Sequence, residues 1–171
     1  MKKTVKIGIV IAILSLLGYL VTQVFTKMQY KKEVAIQLQT LPQFNFTTLK
    51  GKIFTQDNLK PNTATVFIYF NSECDYCQHE AQSIYKNLEA FKNAQLIFVS
   101  EQPKEKIAEF ANTYKLNNQP NITFLHDATY TFAHRFDATS IPYTLIYNKT
   151  QQLVKKQKGQ LLAKTIVKAL Q

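Results

Sequence analysis

The sequence predicts an α/β sandwich in which helices flank a central mixed β-sheet. Runs rich in β-branched and aromatic residues, typical of strands, alternate along the chain with runs whose apolar residues recur every three or four positions, typical of helices. Near the end of the chain, two strand-like runs are separated only by a turn at Asn148 and Lys149, and a closing helix follows them. Strands alternating with helices, and then a hairpin and a helix, indicate this architecture.

The individual elements follow from the same patterns. The predicted strands are residues 64–70, 95–100, 122–125, 143–147 and 153–154, and the predicted helices are one that runs from the cysteine motif to Phe91 and those at 104–114, 130–134 and 161–170. At the start of the globular part, Phe44 and Phe46 alternate with polar residues, and a turn at 49–52 leads to Ile53 and Phe54. This pattern predicts an added N-terminal β-hairpin.

The N-terminal segment has a different composition. Ile7 to Phe25 is a run of 19 residues without a charged side chain. As a helix this run would span roughly 28 Å, close to the hydrocarbon core of a bilayer. The flanking lysines give a slight bias that favours the N-terminus in the cytoplasm. A cleaved signal peptide is the alternative, but the run is long for one and no small-residue cleavage pattern follows it cleanly.

The sequence thus predicts four parts of the chain. They are a cytoplasmic N-terminus (1–6), a transmembrane signal anchor (7–25), a stalk or linker (26–40) and a globular domain (41–171). We expect a single-pass protein of the cell inner membrane whose domain lies on the extracytoplasmic, periplasmic side. Thiols in that compartment normally need a reductant supplied to them.

The formal net charge of +10 suggests nucleic-acid binding, but its distribution argues against that function. Six of the 21 basic residues precede Glu33, and from Glu33 onward fifteen basic and eleven acidic side chains leave a net charge of +4. Arg135 is the lone arginine, and the lysines are scattered. A solvated surface explains this pattern better than a nucleic-acid interface.

The two cysteines of the chain, Cys74 and Cys77, lie where a predicted buried strand leads into a helix. The apolar stripe of that helix consists of Cys77, Ala81, Ile84, Leu88 and Phe91. The unpaired N–H groups and the positive dipole end at a helix N-terminus favour a thiolate on Cys74. Cys77 lies one turn further on, close enough for a disulfide, which is the geometry of a reversible dithiol.

Two other interpretations of the cysteine pair are weaker. The pair could form half of a zinc site, but it would need two further ligands from His79, His126 and His134, and none of these is paired at a usual zinc-finger spacing. A structural disulfide that encloses two residues would add little stability. The strand–turn–helix context instead favours a redox motif.

A proline immediately before the strand 143–147 supports a specific family resemblance. Pro142 could simply be a strand-edge residue. However, the order of strand, C-x-x-C helix, strand, helix, and then Ile-Pro before a hairpin resembles the thioredoxin fold. The segments 41–44, 67–80 and 141–142 and the Gly51 turn resemble the membrane-anchored TlpA/ResA-type branch of that family. The resemblance covers most of residues 41–171.

The resemblance implies roles for several residues. It implies that Cys74 attacks, that Cys77 resolves, and that the two form a disulfide when oxidised. Glu80 matches a glutamate that tunes proton transfer, and Pro142 matches a cis proline that faces the dithiol. With a cis proline, the backbone N–H and C=O of Ile141 would be presented to an incoming polypeptide.

The motif also departs from the family pattern. A tryptophan usually precedes the first cysteine, whereas this chain has Glu73, and the motif interior is Asp75-Tyr76. We predict that Asp75, Tyr76 and Ile141 contact the client. The negative charges of Glu73, Asp75 and Glu80 should destabilise the Cys74 thiolate. Because a less stable reduced form lowers the reduction potential, this favours a reductant over an oxidant. His79 opposes this only weakly, because we expect it on the solvent side of the helix.

The sequence therefore predicts a membrane-anchored thiol–disulfide oxidoreductase that reduces disulfides of extracytoplasmic proteins. Its partners would be disulfide-bearing clients and, because the chain has no third cysteine, a membrane electron-donor protein that reduces it again. We expect a monomer without cofactor or metal. The alternatives are a peroxiredoxin-like peroxidase and a non-enzymatic Cu(I) carrier that uses both thiols with His126 or His134.

Overall fold

The computed structural model describes the backbone of residues 2–171 and the side chains of residues 6–9, 11 and 13–171. The chain divides into two compact units, one that ends at Gln37 and one that extends from Leu38 to Gln171. Helix α1 (Lys2–Gln39) contains the described residues of the first unit and includes the run predicted as an anchor. Its segment Lys6–Gln39 is long and apolar enough to cross a membrane, with a mean hydropathy of 2.2 in its most apolar window.

The second unit contains a seven-stranded mixed sheet, which confirms the predicted fold class. Its strands are β1 (Asn45–Thr48), β2 (Ile53–Thr55), β3 (Ala64–Tyr69), β4 (Ala94–Ser100), β5 (Ile122–His126), β6 (Tyr143–Tyr147) and β7 (Leu153–Lys158). They lie in the order β2-β1-β5-β4-β3-β6-β7. The pairs β3–β4 and β4–β5 are parallel, and the other neighbouring pairs are antiparallel. Strand β3 therefore lies inside the sheet, between β4 and β6.

The predicted N-terminal hairpin is present as β1 and β2, with Phe46 paired to Phe54. Gly51 turns the chain between the two strands at a φ of +80°, a backbone conformation that glycine adopts without steric cost. At the other edge of the sheet, β7 is longer than predicted and extends to Lys158. The sequence pattern missed this extension because its last four residues are polar, as is common on exposed edge strands.

Four helices accompany the sheet: α2 (Asp75–Tyr85), α3 (Lys104–Thr113), α4 (Thr131–Arg135) and α5 (Ala163–Ala169). The prediction of one helix reaching Phe91 was wrong, because α2 ends at Tyr85 and a separate 3₁₀ turn covers Leu88–Phe91. Asn87 explains the break, since its side-chain amide donates to the Ser83 carbonyl in the last turn of α2 at 2.8 Å. Asparagine competes with helical hydrogen bonding in this way. Phe91 still reaches the core.

Two apolar layers cover the sheet. Alternate residues of β3 point to opposite faces, so Val66 and Ile68 lie in the layer formed with α2, α3 and α5. Phe67 and Tyr69 point to the other face, where they pack against the aromatic rings of α4. Fully buried side chains such as these bring on the order of 2 kcal/mol each to folding. Both faces therefore hold β3, and the turn that follows it, in a fixed position.

Candidate active site

Cys74 is the N-cap residue of α2 and directly follows the turn after β3. Within this turn the Asn71 side chain accepts the Glu73 N–H at 2.9 Å, and the Asn71 carbonyl accepts the Cys74 N–H at 3.2 Å. Asparagine supports such a turn because its short side chain reaches the backbone two residues on. The first cysteine is thus held at the positive end of the helix dipole.

Two glutamines hold the same turn from outside it. The Ser72 N–H donates to Gln102 Oε1 at 2.6 Å, and Gln78 Nε2 donates to the Ser72 carbonyl at 2.8 Å. Gln102 is buried and follows β4, whereas Gln78 belongs to α2. Because both polar groups of this peptide have partners, the approach to the cysteine motif is rigidly connected to the sheet and to α2.

The two cysteines differ in their environment. Both are free thiols in the structure; Cys74 is half-buried and Cys77 is buried. Burial raises the pKa of the Cys77 thiol far above its usual range, and the Asn71 backbone opposes this effect. The hydrogen bond with Cys74 and the charge of Glu80 raise the pKa of Cys77 further. Cys77 is consequently a protonated thiol at neutral pH.

Glu80 lies three residues after Cys77 on the buried face of α2 and is fully buried. Its Oε1 atom accepts a hydrogen bond from Thr144 Oγ1 at 2.9 Å, and its Oε2 atom accepts one from the Leu161 N–H at 3.0 Å. Burial raises the pKa of Glu80 to about 7, although the bonds from Leu161 and Thr144 act in the opposite direction. A carboxyl group with this pKa exchanges its proton near neutral pH.

The Ile141–Pro142 peptide is cis, as the family resemblance implied. Pro142 immediately precedes Tyr143, which pairs with Tyr69, the last residue of β3. The proline therefore lies at the same end of the strands as the cysteine motif. Ile141 is 36% exposed. Among the described residues, no hydrogen bond engages its backbone N–H or C=O. These two groups are available to a strand of another polypeptide.

The charged side chains near Cys74 are mostly solvent-exposed. Asp75, Tyr76 and His79 are exposed, and the position of His79 agrees with the prediction. Glu73 is exposed as well, but it forms an ion pair with Lys106 of α3. The expected effect of negative charge around the thiolate is therefore reduced at Glu73, where a positive charge lies beside the carboxylate.

The family model described as AhpC/TSA matches residues 38–156, which is well over half of the chain. The protein belongs to the AhpC/TSA family. No protein with a curated description matches it.

Solved structures similar to this AhpC/TSA-family chain share its fold at low sequence identity. A secreted disulfide oxidoreductase from Mycobacterium tuberculosis, described as homologous to Escherichia coli DsbE, is 20% identical with a TM-score of 0.62, over 78% of this chain and 95% of the other. StoA from Bacillus subtilis is 17% identical with a TM-score of 0.59, over 77% and 98%. The peroxidoxin BcpB from M. tuberculosis is 16% identical with a TM-score of 0.65, over 76% and 92%. The thioredoxin-like fold is thereby confirmed, and the family match supports the TlpA/ResA-like branch.

Several residues of the site in this AhpC/TSA-family chain were not predicted from the sequence. Lys106, Gln102 and Leu161 reach the site from distant parts of the chain, and no spacing in the sequence indicates them. Thr144 did leave a signal, because it is the one polar residue between the apolar side chains of β6, apart from the tyrosine hydroxyls. A hydroxyl at such a buried position needs a partner, and here the partner is Glu80.

The alternative metal sites depended on further ligands from His79, His126 and His134. His79 lies in α2 close to the two thiols in the sequence, and it is exposed. His126 ends β5, and His134 lies in α4, which covers the face of the sheet opposite α2. In the part of the chain that the structure describes, no three His, Cys, Asp or Glu side chains are placed to hold a metal ion. The zinc and Cu(I) interpretations therefore find no ligand cluster in the described residues of this family member.

Proposed function

We propose that this protein is a membrane-anchored thiol–disulfide oxidoreductase that reduces disulfides of extracytoplasmic proteins. The observation that carries the proposal is the asymmetry of its cysteine pair. Cys74 is partly exposed at the start of α2, whereas Cys77 is buried beside it and a buried carboxylate follows one turn later. An accessible nucleophile next to a protected second thiol is what stepwise disulfide exchange requires.

The exchange proceeds through a mixed disulfide. The Cys74 thiolate attacks one sulfur of the client disulfide, a Cys74–client bond forms, and the other client sulfur leaves as a thiolate that is protonated by solvent. Cys77 then loses its proton and attacks the Cys74 sulfur. The Cys74–Cys77 disulfide forms and the second client thiolate leaves. Two electrons thus pass from the dithiol to the client.

Glu80 would take up the proton that Cys77 releases. A buried thiol with a strongly raised pKa is a poor nucleophile until a base removes its proton. The pKa of Glu80 is raised to about 7, which makes its carboxylate a stronger base than an ordinary glutamate. Its place on the same helix face, one turn from Cys77, supports transfer directly or through one water molecule.

The client would bind along the exposed rim of the site. An extended segment can bond to the free backbone groups of Ile141, in the manner of an added strand. Tyr76 is 63% exposed within the motif, and Asp75 lies beside it in the first turn of α2. These side chains would contact residues that flank the client cysteine.

Helix α1 would place the domain at a membrane. Every described side chain from residue 6 to residue 33 is exposed, including the large apolar ones. A helix with apolar residues on all sides is stable in lipid rather than in water. We therefore assign a single-pass inner-membrane location with the domain in the periplasm, where a membrane electron-donor protein would reduce Cys74 and Cys77 again.

Cysteine variants of the full-length chain in detergent test this function. With dithiothreitol as the reductant and insulin as the client, the wild type should accelerate disulfide reduction, and Cys74→Ser should abolish the acceleration. When reduced Cys77→Ser is mixed with insulin in the absence of dithiothreitol, it should accumulate a mixed disulfide through Cys74, visible by mass spectrometry. Equal activity of wild type and Cys74→Ser would refute the proposal.

A peroxidase is the second candidate, because the fold is also shared with the peroxidoxin BcpB. Peroxidases of the peroxiredoxin type need a proline and a threonine shortly before the reactive cysteine, and Phe70 to Glu73 contain neither. The Cys77→Ser variant separates the two functions, since a one-cysteine peroxidase would still consume hydrogen peroxide with dithiothreitol. We expect this variant to consume peroxide no faster than the Cys74→Ser control.

A further inference from the structure

We infer that Thr144 is a positioning residue of the dithiol site, whose hydroxyl holds the buried Glu80 carboxylate in place and in its charged form. The inference rests on the proposed function, because Glu80 matters for exchange only if Cys77 must lose a proton. It assigns a role to a strand residue that touches neither the client nor the reacting sulfurs in the proposed steps.

The two hydrogen-bond donors to the Glu80 carboxylate come from parts of the chain outside its own helix. Thr144 of β6 donates to Oε1 at 2.9 Å, and the Leu161 N–H, just before α5, donates to Oε2 at 3.0 Å. The Ala163 N–H of α5 also donates to Ser83 Oγ of α2 at 3.1 Å, which fixes the start of α5 against the helix that carries Glu80. Each carboxylate oxygen therefore has one donor, and neither is exposed to water.

Neither the pairing of β6 nor the packing of Thr144 requires the Thr144 hydroxyl. Thr144 is the second residue of β6, is fully buried, and is paired to Ile68 of β3 and Gln157 of β7. Backbone pairing and the methyl group suffice for a β-branched residue at this position. Among the described residues, the hydroxyl makes its side-chain hydrogen bond to Glu80.

Apart from burial, the two hydrogen-bond donors Leu161 and Thr144 are the groups that shift the pKa of Glu80. On its own helix the buried titratable neighbour is Cys77, whereas Asp75 and His79 are exposed. On α5 the lysines Lys164 and Lys168 are exposed. Strand β7 places Gln157 and Lys155 beside β6. None of these groups is among the causes that shift the pKa of Glu80, which are burial, the Leu161 N–H and the Thr144 hydroxyl. Removing the hydroxyl should therefore act directly on the charged form.

Three substitutions at Thr144 separate the hydroxyl from the shape of the side chain. Thr144→Val replaces the hydroxyl by a methyl group of similar size, Thr144→Ser keeps the hydroxyl, and Thr144→Ala removes both the hydroxyl and the methyl. Infrared difference spectra of the full-length reduced protein, with the Glu80→Gln spectrum subtracted, follow the protonated carboxyl of Glu80 as a function of pH. No client is needed for this titration.

We expect Thr144→Val to raise the midpoint of the Glu80 titration by about one to two pH units, because a hydrogen bond to a charged group is lost. Thr144→Ala also lacks the hydroxyl and should show the same shift. It therefore provides the test if the Val variant does not fold. Thr144→Ser should stay close to the wild type. Unchanged midpoints in Val and Ala, or a shift in Ser as large as in Val, would overturn the inference.

The pH profile of mixed-disulfide resolution provides the link to exchange. In rapid mixing with a disulfide-bearing peptide, the midpoint of the resolution rate should move upward in Thr144→Val with the Glu80 midpoint. A shifted Glu80 titration without any peptide exchange in the wild type would contradict the proposed function alone. Full exchange with an unshifted titration would contradict the role of Thr144 alone.

Discussion

Cys77 and Glu80 lie three residues apart on the same buried face of α2, so that a thiol with a strongly raised pKa is next to a carboxyl group whose pKa is about 7. Each is destabilised in its charged form mainly by the same apolar surroundings. The negative charge of Glu80 raises the pKa of Cys77 further. A second negative charge on this face of the helix is therefore unfavourable. We therefore expect Glu80 to take up the proton that leaves Cys77.

The two cysteines should differ strongly in their reaction with iodoacetamide. Cys74 is half-buried, whereas Cys77 is buried and its raised pKa keeps it protonated, so Cys74 should be alkylated at least about tenfold faster at pH 7. Peptide mapping by mass spectrometry after short exposure measures the ratio. Equal labelling of the two residues in the folded protein would show that Cys77 is not protected.

The stability of the protein should depend on pH through Glu80. Its pKa is raised from 4.5 to about 7 in the folded state, so the folded protein binds more protons between these values and its stability falls as pH rises through them. The loss attributable to Glu80 is about 3 kcal/mol across this window. Chemical denaturation from pH 4.5 to pH 8 measures it as a difference from Glu80→Gln.

For the Glu80→Gln variant, the informative quantity is the slope of the free energy of unfolding against pH rather than the absolute stability. The amide removes the titration, so the free energy of unfolding should fall less steeply between pH 5 and pH 7 than in the wild type. Parallel pH dependences in the two proteins would mean that Glu80 does not titrate in this window.

The ion pair between Lys106 and Glu73 should tune the redox couple without contributing much to stability. Both side chains are exposed, so Lys106→Ala should change the free energy of unfolding by less than about 1 kcal/mol. The variant leaves the Glu73 charge uncompensated next to Cys74, which should shift the reduction potential to a more negative value by on the order of 10 mV. Lys92→Ala, which replaces an exposed lysine outside the site, is the matched control. A shift in the positive direction would contradict this explanation.

Helix α1 should hold the protein in membranes. The full-length chain should remain in the membrane fraction after alkaline carbonate extraction. Leu17→Arg places a charge in the middle of the apolar run and should weaken insertion, at a cost of about 3 kcal/mol. Fractionation of the two variants measures the effect, and a wild-type chain released by carbonate would rule out the anchor.

The sequence predicted the fold and the centre of the site because those features are encoded locally. The strand before Cys74, the stripe from Cys77 to Ile84 and the proline before β6 are visible as patterns over a few residues. The mixed sheet and the N-terminal hairpin followed from the order of such patterns.

The remainder of the site depends on contacts between distant segments. The partners of Glu80 come from β6 and from the residue before α5, and the partner of Glu73 comes from α3. No periodicity records such pairings, because they arise only when the sheet brings the segments together. The end of α2 was missed for a related reason, since the side chain of Asn87 overrides an apolar spacing that continues to Phe91.

The reduction potential of the full-length protein tests the central proposal most directly. After equilibration in a series of glutathione buffers, the fraction of molecules with a Cys74–Cys77 disulfide is counted by alkylation and mass spectrometry. We predict one two-electron transition at a potential closer to the value of thioredoxin, about −270 mV, than to that of the strong oxidant DsbA, about −120 mV. The absence of an intramolecular disulfide at any buffer composition, or a midpoint near that of DsbA, would contradict the assignment of a disulfide reductase.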